Sequence, residues 1–226
     1  MQVVKRGLFI VFEGLDRSGK STQSKMLASY LENELQVPVK SICFPNRESV
    51  SGKTLNQYLQ NRDMKYPDEA IHLIFAANRW EMRDQILSDL KSGITLICDR
   101  YAFSGVAYSA AKGLDFEWCK NPDRGLVKPD LTFFIDANAE TIKSRSDYGS
   151  ERYERVEFQK KVSESYGKFK QEAEADEHWV TVQADGKSIE EMHSEILDKF
   201  IKYRESQSEG CDDLDKLAGA LFVEQK

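Results

Sequence analysis

The segment FIVFEGLDRSGKST, residues 9–22, decides the fold class of this chain. It is an apolar strand that runs into the pattern Gly-x4-Gly-Lys-Ser and then into a helical pattern. In such a loop, successive backbone N–H groups converge on an anion at the helix N-terminus, and Gly14 and Gly19 permit the tight turn. Lys20 can reach the β- and γ-phosphates, while the hydroxyl of Ser21 can ligate Mg²⁺. The segment therefore predicts a site for a nucleoside triphosphate.

A carboxylate that completes this site is expected at the end of another buried strand. The apolar run 95–98 ends in Asp99, and a strand-end carboxylate holds Mg²⁺ in many sites of this kind. Asp136 follows the apolar run 131–135 and is the competing candidate. We favour Asp99 because Arg100 follows it directly, and a guanidinium beside that carboxylate suits a bound phosphate.

Strand and helix patterns alternate along the chain. The predicted strands cover residues 8–12, 39–44, 95–98, 131–135 and 179–182. The helical patterns cover 20–35, 68–90, a short helix from 141, 153–175 and 188–203. This order predicts an α/β, three-layer P-loop NTPase fold: a five-stranded parallel sheet with helices on both faces and a short lid. Ligands of such sheets bind beyond the carboxyl ends of the strands.

Composition narrows the function classes. The chain has 226 residues and a net charge of −6, which argues against nucleic acid as a partner because nucleic-acid binding needs a dense basic surface. It lacks an apolar run long enough for a secretion signal or a membrane span. The four cysteines show no metal-like spacing, and we expect Cys43 and Cys98 to be small buried side chains. We therefore expect a cytoplasmic protein with no membrane partner, and the sequence leaves a nuclear or mitochondrial share open.

Several further residues follow strands or share a helix face. Phe44–Pro45 is a candidate cis bond, and Arg47 lies either in the cleft or on a solvated loop. Phe75 and Arg79 share a helix face, where they could stack on a base and bond its edge. From spacing alone, a core phenylalanine with a surface arginine is the more common arrangement.

Two segments near the C-terminus have less defined patterns. Residues 145–154 are polar and contain glycine, which indicates either a lid that excludes water or a plain charged connector. Residues 205–213 are acidic and indicate a solvated tail, whereas 214–223 are apolar enough to dock on the protein.

Six segments together resemble the eukaryotic type of thymidylate kinase. They are FEGLDRSGKSTQ (12–23), FPNR (44–47), IFAANRWE (74–81), DRYAFSGVAYS (99–109), KPDL (128–131) and ERYE (151–154). The resemblance extends to about residue 200, so we expect a kinase domain at 1–204, with a lid at about 145–154, and an acidic extension at 205–226. It implies that ATP and dTMP give ADP and dTDP for dTTP biosynthesis, with Mg²⁺, in a homodimer.

The resemblance implies roles on the donor side of the site. Arg17 bridges to the γ-phosphoryl group as charge develops, and Arg145 stacks on adenine. Ser21 and Asp99 hold the metal. The implied catalytic residues are Arg17, Lys20, Asp99 and Arg100, and the implied ATP-binding residues are Gly14, Ser18, Gly19, Lys20, Ser21, Thr22 and Arg145.

The resemblance also implies how the acceptor base is bound. Phe75 stacks on thymine, and Arg79 donates a hydrogen bond to a thymine carbonyl. Phe44 and Pro45 line the pocket near the 5-methyl group.

The sugar and phosphate of dTMP have their own implied contacts. Asp16 accepts from the 3′-hydroxyl, while Arg47 and Arg100 hold the phosphate. Tyr108 crowds the sugar C2′, where the family also has Phe, and Tyr153 packs on the sugar. The full implied set of substrate-binding residues is Asp16, Phe44, Pro45, Arg47, Phe75, Arg79, Arg100, Ser104, Gly105, Tyr108 and Tyr153.

Two alternatives remain from the sequence. A deoxynucleoside kinase would use a carboxylate base after the first strand, where this chain has Glu13 and Asp16, but two arginines for an acceptor phosphate favour a monophosphate. A non-catalytic nucleotide-binding module would bind ATP without turnover, and the intact loop residues argue against it.

Overall fold

The computed structural model describes residues 6–144, 152–153, 155–172, 178–206, 218 and 220–223. Within these residues one sheet has five parallel strands: β1 (Phe9–Gly14), β2 (Val39–Cys43), β3 (Thr95–Asp99), β4 (Leu131–Asp136) and β5 (Trp179–Gln183). Their spatial order is β2-β3-β1-β4-β5. The predicted fold class is confirmed, and each strand lies within about two residues of its predicted bounds, the usual uncertainty of element ends.

Helices surround the sheet. They are α1 (Lys20–Asn33), α2 (Val50–Gln60), α3 (Asp68–Lys91), α4 (Ala102–Ala110), α5 (Phe116–Lys120), α6 (Ala139–Ser144), α7 (Val156–Glu172) and α8 (Ile189–Ser206), with a 3₁₀ turn at Asn121–Asp123. The helices α1 and α8 pack together, and α4 packs on α3, α5 and α7. The sequence analysis did not predict α2, α4 or α5. In α4, small and apolar residues surround the helix, so no polar stripe reveals its period.

The central strand β1 brings the functional segments to one edge. All six of its residues are buried, and it pairs with β3 on one side and β4 on the other. Phe12 lies opposite Asp99 in β3, and Gly14 lies opposite Ile135 in β4. Because the strands are parallel, their carboxyl ends meet where the phosphate-binding loop leaves β1.

Part of the C-terminal segment docks on the protein. Leu221 is 2% exposed and exchanges backbone hydrogen bonds with Gly125 and Leu126, each 3.1 Å long. The ring of Phe222 lies 5.4 Å from that of Phe103 at the start of α4. The apolar end of the chain therefore packs as its composition indicated, while the division at residue 204 stays a prediction.

One expectation for the cysteines is wrong. Cys43 is exposed because β2 is an edge strand, in which none of the five residues is fully buried. Cys98, in β3, is buried as expected. Among the described helices, none is long and apolar enough to cross a membrane.

Candidate active site

The loop between β1 and α1 has the backbone of an anion-binding turn. Gly14 and Gly19 have φ angles of 140° and 107°. A Cβ on Gly14 would lie 2.4 Å from the carbonyl oxygen of Ile135, so a larger residue has no room there. Arg17 also adopts a left-handed φ of 63°, which is uncommon outside glycine and is often held at functional sites.

Lys20 is a buried cation at the start of α1. It is 4% exposed, and its ammonium group donates to the carbonyl oxygen of Leu15. Burial and the nearby charge of Arg100 lower the pKa of Lys20 to about 8. A polyphosphate in the loop would add negative charge beside this ammonium group and favour its charged form.

Ser21 and Asp99 meet at the same edge of the sheet. The Ser21 hydroxyl donates to Oδ2 of Asp99, and Oδ1 of Asp99 is buried with no hydrogen-bond partner among the described residues. A hydroxyl and a carboxylate with an unsatisfied oxygen are hard donors of the type that Mg²⁺ prefers. These two residues would therefore suit a magnesium ion, with water and phosphate as its other ligands. Asp136, the competing candidate, is instead paired with Lys170 at 2.7 Å.

Asp16 and Arg100 connect the loop to the end of β3. A guanidinium nitrogen of Arg100 donates to Oδ1 of Asp16, and Nε2 of Gln159 in α7 donates to Oδ2 at 2.8 Å. Burial raises the pKa of Asp16, but the charges of Arg100 and Lys20 outweigh it and hold the pKa below its usual value. Asp16 is therefore an ionised acceptor at neutral pH.

A buried carboxylate fixes the start of α4 beside this pair. Glu13 is fully buried, and Oε1 accepts from the backbone N–H of Tyr101 at 2.8 Å and of Ser104 at 3.1 Å. Its Oε2 accepts from the hydroxyls of Ser104 at 2.5 Å and Tyr166 at 2.7 Å. Because Arg100 also donates to the Ser104 hydroxyl at 3.0 Å, the network fixes that guanidinium relative to β1.

A cavity of about 250 Å³ opens beside these residues. All eleven residues that the resemblance implied for substrate binding line it, and so does Asp99. Their individual roles stay predictions, but the fold places them around one volume. The exposed Cys43 and the half-buried Lys112 also line this cavity.

One end of the cavity is suited to a flat ring. Phe75 and the buried Phe44 line it, and the Phe44–Pro45 bond is cis. Arg79 is not a surface arginine, because it is 2% exposed and forms a buried pair with Asp123. The arrangement that spacing alone favours, a core phenylalanine with a surface arginine, is therefore wrong for Arg79.

The other end combines cations with aromatic rings. Nη1 of Arg47 donates to Asn56 at 3.0 Å. The guanidinium of Arg100 lies 5.1 Å from the ring centre of Tyr108, whose ring is 5.7 Å from that of Tyr153. The cavity thus offers positive charge near the loop and apolar surface where a sugar could pack.

Of the predicted lid at about 145–154, the structure describes only Arg152 and Tyr153. The guanidinium of Arg152 donates to three carbonyl oxygens in the last turn of α2 and the loop after it, those of Tyr58 (2.9 Å), Met64 (2.7 Å) and Asn61. Arg152 therefore ties this segment to α2. The implied adenine-stacking residue, Arg145, lies outside the described residues.

Comparison with known proteins agrees with the family resemblance of the sequence motifs. The family model for thymidylate kinase matches residues 12–196, most of the chain. The chain belongs to the thymidylate kinase family. The match covers the phosphate-binding loop, the strand-end Asp99 and the α4 residues that line the cavity.

Individual relatives support the family assignment. The chain is 48% identical to a thymidylate kinase of Dictyostelium discoideum over 88% of this chain and 86% of the relative. It is 49% identical to one of Plasmodium falciparum over 88% and 92% of the two chains. The solved thymidylate kinase of Candida albicans matches with a TM-score of 0.81 and 37% identity, over 88% of this chain and 93% of the other.

In this member of the thymidylate kinase family, sequence reasoning missed a set of buried polar residues that hold the cavity residues in place. These residues are Glu13, Gln159, Tyr166 and Asp123, and Glu13 is the centre of one hydrogen-bond network. A glutamate inside an apolar strand is a signal that could have identified the first. The others come from distant segments, and no local pattern indicates which residue they contact.

Proposed function

We propose that this chain transfers the γ-phosphoryl group of ATP to the phosphate of dTMP, and that the residues named above carry the reaction. The observation that supports this most is the continuity of the two sites. Arg100 lines the acceptor cavity and donates a hydrogen bond to Asp16 of the phosphate-binding loop, four residues before Lys20. A nucleotide in the loop and a monophosphate in the cavity would therefore meet end to end at these groups.

The reaction needs charge stabilisation more than proton transfer. A phosphate oxygen of dTMP attacks the γ-phosphorus of ATP, the bond to the β,γ-bridging oxygen breaks, and ADP leaves with that electron pair. The attacking oxygen is already anionic, so no general base is required. Positioning and electrostatic stabilisation then supply most of the rate enhancement.

The cations of the site have distinct places in this proposal. Lys20 binds the β- and γ-phosphates, and Arg17 contacts the transferring group as its charge spreads. Arg47 and Arg100 hold the acceptor phosphate in line. Ser21 and Asp99 would hold Mg²⁺, which neutralises charge on the β- and γ-phosphate oxygens when bound.

The geometry disfavours a deoxynucleoside kinase. Such an enzyme needs a carboxylate that can take a proton from a hydroxyl. Both carboxylates that follow the first strand are engaged: Glu13 is buried and accepts four hydrogen bonds, and Asp16 is paired with Arg100 and Gln159. Asp16 is better suited to accept from a sugar hydroxyl than to abstract its proton, because its pKa is held low.

We also propose that the enzyme works as a homodimer without nucleic acid. Leu73 and Trp80, 48% and 39% exposed, lie seven residues apart on α3 with the exposed Ala77 between them, which forms an apolar stripe. A second copy would cover that stripe, and light scattering of Trp80→Glu against the parent chain tests it. A cytoplasmic location stays a prediction from the sequence.

A coupled ADP-release assay with four acceptors tests the main proposal. We expect turnover with dTMP, weaker turnover with dUMP, and little with dCMP or thymidine. Phosphorylation of thymidine but not dTMP would replace the proposal with a deoxynucleoside kinase. Nucleotide binding without ADP release for any acceptor would indicate a non-catalytic module.

A further inference from the structure

Asp123, which no sequence motif indicated, holds the guanidinium of Arg79 at the base end of the cavity. Nε of Arg79 donates to Oδ1 at 2.8 Å, and Nη2 donates to Oδ2 at 2.6 Å. The two side chains are 2% and 0% exposed. A bidentate pair fixes both the position and the plane of a guanidinium group. Two of its three nitrogens are thereby committed to Asp123.

Nη1 is the nitrogen that remains for a ligand. Arg79 lines the cavity, and none of the residues that the structure describes accepts a hydrogen bond from Nη1. A guanidinium nitrogen can donate but cannot accept. It therefore favours a carbonyl oxygen and disfavours an amino group, which is itself a donor. A fixed donor at a poorly solvated wall gives strong discrimination of this kind.

Gly105 in α4 leaves the space that the guanidinium occupies. A Cβ at this position would lie 2.7 Å from Nη2 and 2.9 Å from Nη1 of Arg79. The guanidinium would have to shift away from that Cβ, and its two hydrogen bonds to Asp123 oppose the shift. Glycine is a poor helix former, so its presence inside α4 agrees with a need for clearance.

We infer that Asp123 is a positioning residue for base selection. It orients Arg79 so that Nη1 meets the oxygen at position 4 of a pyrimidine 5′-monophosphate, and Gly105 provides the clearance. Position 4 is the relevant one because dTMP and dUMP carry an oxygen there, whereas dCMP carries an amino group. The inference rests on the proposed dTMP phosphorylation and assigns Asp123, through Arg79, to its selectivity.

The primary test is Asp123→Asn, assayed with dTMP, dUMP and dCMP. The amide keeps the shape of the side chain but presents donors to an arginine that can only donate. We expect KM for dTMP to rise about tenfold, while KM for ATP and kcat change by less than about threefold. The ratio of kcat/KM for dTMP to that for dCMP should fall about tenfold. The ratio of kcat/KM for dUMP to that for dCMP should fall by a similar factor, because dUMP carries the same oxygen at position 4.

Asp130→Asn is the matched control. Asp130 forms a second buried bidentate pair, with Arg6, at 2.8 and 2.7 Å, and the side chains are 1% and 6% exposed. Asp130 also accepts from the backbone N–H of Phe9, at the amino end of β1, whereas the cavity is at the carboxyl end. We expect this variant to lose stability with no change in the dTMP-to-dCMP ratio.

Gly105→Ala keeps the inference testable if Asp123→Asn fails to fold. It retains both charges and crowds the guanidinium, so we expect the same fall in the ratio. A wild-type ratio in every folded variant at position 123 or 105 would overturn the inference, and so would an equal change in Asp130→Asn. If the parent chain does not phosphorylate dTMP at all, the proposed function fails instead.

Discussion

The hydroxyl of Tyr166 in α7 donates a hydrogen bond of 2.7 Å to the carboxylate of Glu13 in β1. Both side chains are fully buried. The contact joins a helix from the second half of the chain to the strand that leads into the phosphate-binding loop. It also shares its acceptor oxygen with the Ser104 hydroxyl, so three elements meet at one carboxylate.

Replacement of Glu13 by Gln should destabilise the protein and lower turnover. One amide oxygen can still accept, but the amide nitrogen would face donors, and each unsatisfied buried group costs about 1–3 kcal/mol. We expect a loss of about 3 kcal/mol in urea unfolding. Tyr166→Phe removes a single donor and should lose about 1 kcal/mol. Equal stability of Glu13→Gln and the parent chain would show that the network contributes little.

Arg17→Ala should reduce turnover and spare dTMP binding. A guanidinium that contacts the transferring phosphoryl group acts mainly in the transition state, so we expect kcat to fall at least about tenfold. KM for dTMP should stay within about twofold. Lys25→Ala, which removes an exposed cation further along α1, is the control. A large loss of dTMP affinity with normal kcat would contradict the proposed role.

ATP binding should weaken as the pH rises above about 8. The pKa of Lys20 is lowered to about 8 in the unliganded site, and phosphate binding favours the charged form. Below that pH the ammonium group is already charged, while above it a proton must be taken up on binding. We expect KM for ATP to rise by up to about tenfold per pH unit there. Lys20→Arg should remove this dependence, whatever its activity; retention of the slope would assign it to another group.

Acid should destabilise the fold through His72. Its Nε2 donates to the carbonyl oxygen of Cys119 at 3.0 Å, so its Nδ1 accepts from the hydroxyl of Ser109 at 2.8 Å. Burial and the charge of Arg79 lower the pKa of His72 below its usual value of 6.5. The unfolded chain therefore binds the proton more readily, and stability falls as the pH drops through 6.5.

The pH dependence of urea unfolding checks this expectation. His72→Gln should lose part of the slope between about pH 7 and pH 5, because it has no proton to bind there. Burial also lowers the pKa of His193, so His193→Gln is a needed comparison. An unchanged slope in His72→Gln, with a smaller one in His193→Gln, would assign the effect to the second histidine.

The docked C-terminal segment should contribute measurably to stability. Leu221 is 2% exposed among apolar neighbours, so Leu221→Ala should cost about 2–4 kcal/mol in the free energy of unfolding. Val223 is 50% exposed, and Val223→Ala should change stability by less than about 0.5 kcal/mol. Similar thermal midpoints for the two variants would mean that residues 220–223 do not hold this contact in solution.

Local patterns predicted much of the molecule because their physics is local. The apolar runs of the strands, the glycines of the loop and the strand-end Asp99 depend on neighbours within a few residues. Their meeting at one edge follows from parallel pairing alone. The sequence also placed Phe75 and Arg79 on one helix, whereas Ser104, Gly105 and Tyr108 lie on α4, which it did not predict. The family resemblance implied roles that spacing left open.

Tertiary structure decided how those residues are held. Nothing near Arg79 in the sequence indicates that its guanidinium is buried, because its partner Asp123 is 44 residues away on another element. The donors on Glu13 come from α4 and α7, and Cys43 is exposed only because β2 lies at the sheet edge. Side-chain period and turn chemistry fix which segments form, whereas burial of a charge depends on which distant group pairs with it. The sequence by itself therefore determined the fold class and the residue types that meet at this edge of the sheet, and packing between distant segments determined how their side chains are oriented.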